Sequence, residues 1–311
     1  MSTRDRYLGS ILVLAMLAGG RPALGEDPPP LSPTPPPSEA PAPKPSAAPA
    51  PAVPETPTPA PSEAPSPPRR PPEGSVIIDL PSADTNAPGN LQFIITHRFA
   101  EPVQDSSYHD FYSFFSPANV GLGLSYAPIR NLEAGFLRAQ DLEDYEVFAK
   151  YAVYAPAQGP FRAAVRIGGD FTTLKGERNG SSFFAQGILA FTAFAGRVRM
   201  TAVPTFSTRA IGQALPPQQN VFNVLGALSV GITRTINVHG EIVPRTAESP
   251  GVGWIASIEK TLLRHRFSFT IGNMRGTTVD QYVTWQPPFF VGNSPHNVYF
   301  GFNIVRLWQL K

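Results

Sequence analysis

The sequence contains no cysteine. A disulfide framework, thiol catalysis and a Cys-ligated zinc site are therefore excluded. Charge is scarce as well: Asp, Glu, Lys and Arg make up 15% of the residues, against about 25% in an ordinary soluble domain. The net charge is only +2, too small a basic excess to imply a nucleic-acid partner. Beyond residue 25 no apolar run reaches the roughly 18 residues that a transmembrane helix requires. Yet 42% of the chain is hydrophobic. Abundant apolar residues without long runs and with little charge are the mark of membrane-spanning β-strands, in which alternation dilutes hydrophobicity.

The first 25 residues read as an export signal. Arg4 and Arg6 supply a positive start, "YLGSILVLAMLAGG" an apolar stretch, and Ala23 and Gly25 the small residues before a cleavage site at Glu26. Residues 26–74 follow as a Pro/Ala-rich segment holding 21 of the 37 prolines. Without large apolar side chains it cannot offset the entropy of folding, so it reads as a disordered, polyproline-II-leaning periplasmic tether. The folded part is 75–311.

That part reads as an all-β, transmembrane antiparallel up-and-down barrel of about 12 strands. The expected strands are 90–99, 117–126, 131–139, 144–154, 161–172, 182–194, 197–207, 221–232, 236–245, 252–260, 265–273 and 296–308. Short turns alternate with mostly longer loops, as they do when the two kinds of connection lie on opposite rims. An even strand count brings both ends of the barrel to the short-turn rim. In "NVGLGLSYA", Val120, Leu122, Leu124 and Tyr126 alternate with Asn119, Gly121, Gly123 and Ser125. The same alternation puts Phe161, Val165, Ile167 and Phe171 opposite Arg162, Arg166 and Asp170, and Ile236, Val238 and Ile242 opposite Asn237, His239 and Glu241. Lipid outside and a polar lumen inside accounts for this pattern. Two breaks in the lipid face, Lys260 and Arg306, lie near the short-turn rim, where long side chains snorkel.

Inward charges are the candidate functional residues: Arg162, Arg166, Asp170, Arg197, Arg199, His239 and Glu241, with Arg98, Lys150, Arg245, Arg266, Glu133, Glu146 and Glu259 around them. In a narrow lumen they must pair, bind water or bind a solute. Two readings stay open: a basic constriction favouring small anions, and an ion-paired plug that closes the barrel. The aromatic loops 100–116 and 274–295 could contact a solute, glycan or partner, or fold into the mouth. A catalytic reading would need His97 or His296 beside Ser106, Ser107 or Asp110 at the long-loop rim, but nothing in the sequence ties a nucleophile to a base. No metal-ligand spacing such as HExxH occurs, and "GLG" at 121–123 sits in a strand rather than before a helix. No cofactor, catalytic residue or metal site is expected.

The segments "DLPSADTNAPGNLQFIITHRF" (79–99), "NVGLGLSYAPIRNLEAGFLRAQDLEDYEVFAKY" (119–151), "VHGEIVPR" (238–245), "HRFSFTIGNMRGTTVDQYV" (265–283) and "NVYFGFNIVRLW" (297–308) resemble a bacterial family of outer-membrane β-barrel proteins defined only as a domain of unknown function. The resemblance implies a barrel in the outer membrane of a diderm bacterium and no established activity. It departs from the barrel pattern in the tail Gln309, Leu310 and Lys311, since such barrels usually end on an aromatic residue read by the insertion machinery. The expected partners are outer-membrane lipid, that machinery through the last strand, and peptidoglycan or periplasmic proteins through the tether. The function expected is a narrow pore or binding barrel for small anionic solutes. The alternatives are a plugged structural or anchoring barrel and, third, an outer-membrane enzyme with its site at the rim.

Overall fold

The computed structural model describes residues 74–157, 159–173, 180–210, 219–246, 251–283 and 296–310. The expected export signal, and the tether apart from Gly74, lie outside the described residues. Twelve strands follow in order: β1 Asn90–Phe99, β2 Ala118–Ile129, β3 Leu132–Ala139, β4 Asp144–Tyr154, β5 Phe161–Thr172, β6 Gly180–Ala193, β7 Val198–Ala210, β8 Gln219–Gly231, β9 Ile236–Val243, β10 Gly253–Leu262, β11 His265–Gly272 and β12 Tyr299–Gln309. Each pairs antiparallel with its sequence neighbours, and β1 pairs with β12, from Asn90 opposite Gln309 to Arg98 opposite Gly301, so the sheet closes. Closure satisfies both edges of the sheet, the condition for a β-structure surrounded by hydrocarbon. The expected short turns fall on one rim and the loops on the other.

Alternation sets the two faces. On β2, Asn119, Gly121, Gly123 and Ser125 are buried inside while Leu122, Leu124 and Tyr126 are exposed outside. The outward surface is apolar all round, with Val147, Ile167, Phe183, Leu189, Phe222, Leu228, Ile258 and Phe267 exposed on it. Lys260, on that face, sends its Nζ to Thr235 Oγ1 in the short turn at 2.9 Å, and the Arg306 guanidinium lies 5.1 Å from the Trp308 ring centre. Both stay at the rim, as snorkelling requires. Gln309 continues β12, and the Leu310 N–H donates to the Gly89 carbonyl at 2.8 Å, so these two residues extend the barrel's closing seam.

The expected polar lumen is only half right. The inner wall is charged along β1 to β5 and apolar along much of β6 to β10, where Ile188, Val203, Val221, Leu225, Val243 and Ile255 are buried. Those residues belong to a packed core completed by two inserted pieces of the chain. One is the strap 74–89, which precedes β1 and contributes Ile77, Ile78, Leu80 and Ala83. The other is the loop 273–283 after β11, whose Met274 and short helix α1 (Val279–Val283) contribute Val279, Tyr282 and Val283. An inner wall that faced water would not be apolar; it is apolar because protein fills the lumen.

Candidate functional site

The strap is a tight reversal. Val76 bridges to Pro81, the Ile77 N–H donates to the Leu80 carbonyl at 2.9 Å, and the Ser82 N–H to the Ser75 carbonyl at 3.0 Å. Its outward-turned backbone groups need partners in the wall, because a buried unpaired amide costs about 1–3 kcal/mol. Glu241, on β9, supplies the acceptor for three of them: its carboxylate accepts from the N–H groups of Ile78 at 2.7 Å, Leu80 at 3.0 Å and Asp79 at 3.1 Å. The Asn303 amide donates to the Ile78 carbonyl at 2.9 Å, and Lys150 Nζ donates to the carbonyls of Ser75 at 2.9 Å and Asp84 at 2.7 Å.

The strap's two acidic side chains meet the wall's arginines. Asp79 pairs with Arg98 at 2.7 Å. Asp84 sits between Arg162, at 2.8 Å, and Arg199, at 2.7 Å, one oxygen to each. Arg266, on β11, reaches the Val76 carbonyl at 3.3 Å and Glu259 at 3.3 Å.

The candidate lumen residues therefore divide into separate groups rather than one cluster. Arg162 and Arg199 share Asp84. Arg166 lies deeper: it pairs with Glu146, donates to Gln186 at 2.8 Å, and stands 4.1 Å from the ring centre of Phe148. Asp170 faces Asp144 and Asp280 instead. His239 Nδ1 is 2.8 Å from Ser229 Oγ and its Nε2 3.8 Å from Glu259, while Glu241 holds the strap. Two residues expected inside are not there: Arg197 is exposed in the turn before β7, and Arg245 is exposed beyond the end of β9. Both fall where a strand stops, so alternation no longer decides their direction.

The second inserted piece closes the long-loop mouth. The Val279 N–H donates to Glu146 at 2.8 Å, the Asn119 amide to the Arg275 carbonyl at 2.9 Å, and Gln186 to the Tyr282 hydroxyl at 3.2 Å. Arg275 pairs with Asp141 at 3.4 Å in the neighbouring loop. Burial, then the Asp144 charge, pushes the Asp280 carboxyl well above the usual carboxylate range, and burial raises the Tyr282 phenol. Glycine on the inner face makes room: a Cβ at Gly121 would lie 2.2 Å from Thr96 Oγ1 and 3.3 Å from Thr277 Oγ1 of the inserted loop.

The loop 100–116 behaves differently. Phe114 folds back over the outer surface, its ring centre 4.8 Å from that of Phe99 and 5.8 Å from that of Phe300, while Tyr108, Phe111, Tyr112 and Phe115 stay exposed. Of the residues of the catalytic alternative, His97, Ser106 and Ser107 have separate partners. His97 lies between the rings of Phe99, at 4.5 Å, and Phe302, at 4.7 Å. Ser106 Oγ donates to the Val103 carbonyl at 2.8 Å, and Ser107 Oγ to Asp110 at 3.1 Å, both within their own loop.

Compared with known families, residues 73–308 match the one described as a membrane bound beta barrel domain (DUF5777). The chain belongs to this family. It is a membrane-bound β-barrel, and its apolar outer face is the face that meets lipid. Among solved structures the chain is similar to the NanC porin, at 10% identity and a TM-score of 0.43, over 70% of this chain and 99% of that one. It is similar also to outer membrane phospholipase A from Escherichia coli, at 10% identity and a TM-score of 0.42, over 70% of this chain and 89% of that one. No curated protein sequence matches the chain.

Proposed function

We propose that this protein is a barrel of the outer membrane of a diderm bacterium, held closed by its own chain, which anchors its exported N-terminal segment on the periplasmic side. The observation that carries this reading is the strap: six inward-facing donors and acceptors that could otherwise receive a solute hold residues 74–89 instead. Arg98, Arg162, Arg199, Lys150, Glu241 and Asn303 all bind it. The export signal and the family's membrane barrel support the location. The strap emerges at the short-turn rim, so the Pro/Ala-rich segment would hang in the periplasm, within reach of peptidoglycan or periplasmic proteins. The last strand would meet the insertion machinery with Trp308 beside Gln309, Leu310 and Lys311.

A second reading, a gated passage for small anions, is favoured by one feature. Asp84 occupies the fork between Arg162 and Arg199 as an anionic solute would, and displacing it would leave a basic constriction. One experiment separates the two. Full-length protein in a planar bilayer under a salt gradient is expected to show no steady conductance. The double variant Asp79→Asn, Asp84→Asn, combined with replacement of 276–283 by a short glycine-serine turn, stays silent if the barrel only anchors. Anion-selective conductance from it would establish the gated passage. Steady conductance from the unmodified protein would contradict both.

A further inference from the structure

The inserted loop meets the barrel wall through carboxylates. Asp144 opens β4, Asp170 lies near the end of β5 and Asp280 is in α1; each offers an oxygen within 4.8 Å of those of the other two. All three side chains are fully buried. Like charges this close in a dry interior require a cation or protons between them. Among the described residues Arg166 is a neighbouring guanidinium, and Glu146 takes its ion pair.

A separate observation points to a ligand. Asp144 Oδ1 and Asp170 Oδ1 are buried without a hydrogen-bond partner, where buried acceptors almost always have one. The remaining oxygens around them are ordered by protein donors: Thr278 Oγ1 bonds Asp144 and stands 3.0 Å from Asp280 Oδ1, Ser182 Oγ donates to Asp170 Oδ2 at 3.3 Å, and the Gln281 amide donates to Asp144 Oδ2 at 3.3 Å. The loop thus fixes one oxygen of Asp144 and the wall one oxygen of Asp170, and the other oxygen of each is left bare. Carboxylate and hydroxyl oxygens select a hard divalent cation over zinc or copper. Oxygens on opposite sides of calcium stand about 4.6–5.2 Å apart, and on opposite sides of magnesium about 4.0–4.2 Å. Three oxygens within 4.8 Å of one another can serve either shell, but magnesium demands a near-ideal octahedron and keeps its waters, so a dry group of protein oxygens suits the larger, more flexible calcium shell.

We propose that Asp144, Asp170 and Asp280 bind one calcium ion, which fastens the loop 273–283 inside the mouth of the barrel. Two of the ligands belong to the wall and one to the loop, so the ion bridges elements that are separate in sequence. The proposal goes beyond the closed-barrel reading and does not need it, because cation binding is measured whether or not the barrel conducts.

The test uses the full-length protein in detergent micelles, stripped with a chelator and titrated with calcium chloride by calorimetry. One saturable equivalent is expected, with an upward shift of the thermal midpoint, and magnesium chloride should bind more weakly. Asp170→Asn and Asp280→Asn, each checked for folding by its mobility on a cold SDS gel, should weaken calcium binding by about tenfold or more. If neither variant folds, the wild-type titration decides alone. No saturable calcium binding would overturn the proposal and leave the carboxyls sharing protons. Calcium binding unchanged by a folded Asp170→Asn variant would overturn it too, by placing the ion elsewhere.

Discussion

Glu241 shows how much one inward side chain can fix. Its carboxylate is fully buried and receives three successive backbone N–H groups of the strap, a role no alternation pattern announces. Glu241→Ala would leave those amides without an acceptor, at a cost of about 1–3 kcal/mol for each that water cannot reach. The expected outcome is faster hydrogen exchange at Ile78, Asp79 and Leu80 while the β-strand amides keep their protection. Glu241→Gln keeps the oxygen that Ile78 and Leu80 share and should fall between. Gly301 is the opposite case, a position fixed by what is missing. A Cβ there would lie 2.3 Å from the His97 carbonyl oxygen, a backbone atom of the paired strand that cannot swing away. Gly301→Ala should therefore destabilise the β1–β12 closure by about 1–3 kcal/mol, read as a lower urea midpoint in lipid vesicles.

Among the elements, the strands were the most legible in the sequence. Each carries a period of two, and a shift of one residue would exchange lipid and lumen faces, so the pattern pins the register. β1, β4 and β5 fall on the expected residues, and the other strands differ by a few residues at one or both ends. β8 explains the part that alternation hid. Phe222, Val224 and Leu228 point out, while Val221, Leu225 and Ala227 point in beside Asn223 and Ser229, so the inner face is largely apolar too and the polar lumen expected from β2 or β5 is interrupted there. Leu225→Ala should cost about 2–5 kcal/mol, as in any packed core, and Leu228→Ala, facing lipid, much less. In a water-filled lumen the order would reverse, so unfolding free energies of the two variants in vesicles discriminate. The strap was the least legible element. "SVIIDLPSADTNAPG" (75–89) has no period, so it falls inside the folded part without an element of its own. Its signal lay elsewhere: an excess of inward arginines on the strands, and two aspartates upstream that answer them. Of the loop 274–295, whose aromatic content is plain in the sequence, residues 284–295 lie outside the described residues; the part 274–283 enters the mouth, a direction set by cavity shape rather than by local pattern.

For the whole molecule, the lumen arginines Arg98, Arg162, Arg166, Arg199 and Arg266 are each answered by a buried carboxylate. Asp79 answers Arg98, Asp84 answers Arg162 and Arg199, Glu259 answers Arg266 and Glu146 answers Arg166. Buried pairs of this kind add little net stability, but removing one partner costs about 3–5 kcal/mol; they fix where the strap sits more than how firmly the barrel folds. The apolar contacts of Ile77, Ile78 and Leu80 contribute about 2 kcal/mol each. The central claim is that residues 74–89 occupy the lumen. The absence of native cysteine makes its test clean: Ser82→Cys, nearly isosteric at a fully buried position, against Leu263→Cys at a fully exposed turn, each treated with a bulky maleimide in vesicles permeable to the reagent. The account predicts rapid labelling at 263 and labelling at 82 only after unfolding. Labelling at 82 in the folded barrel as fast as at 263 would place the strap in water and contradict it.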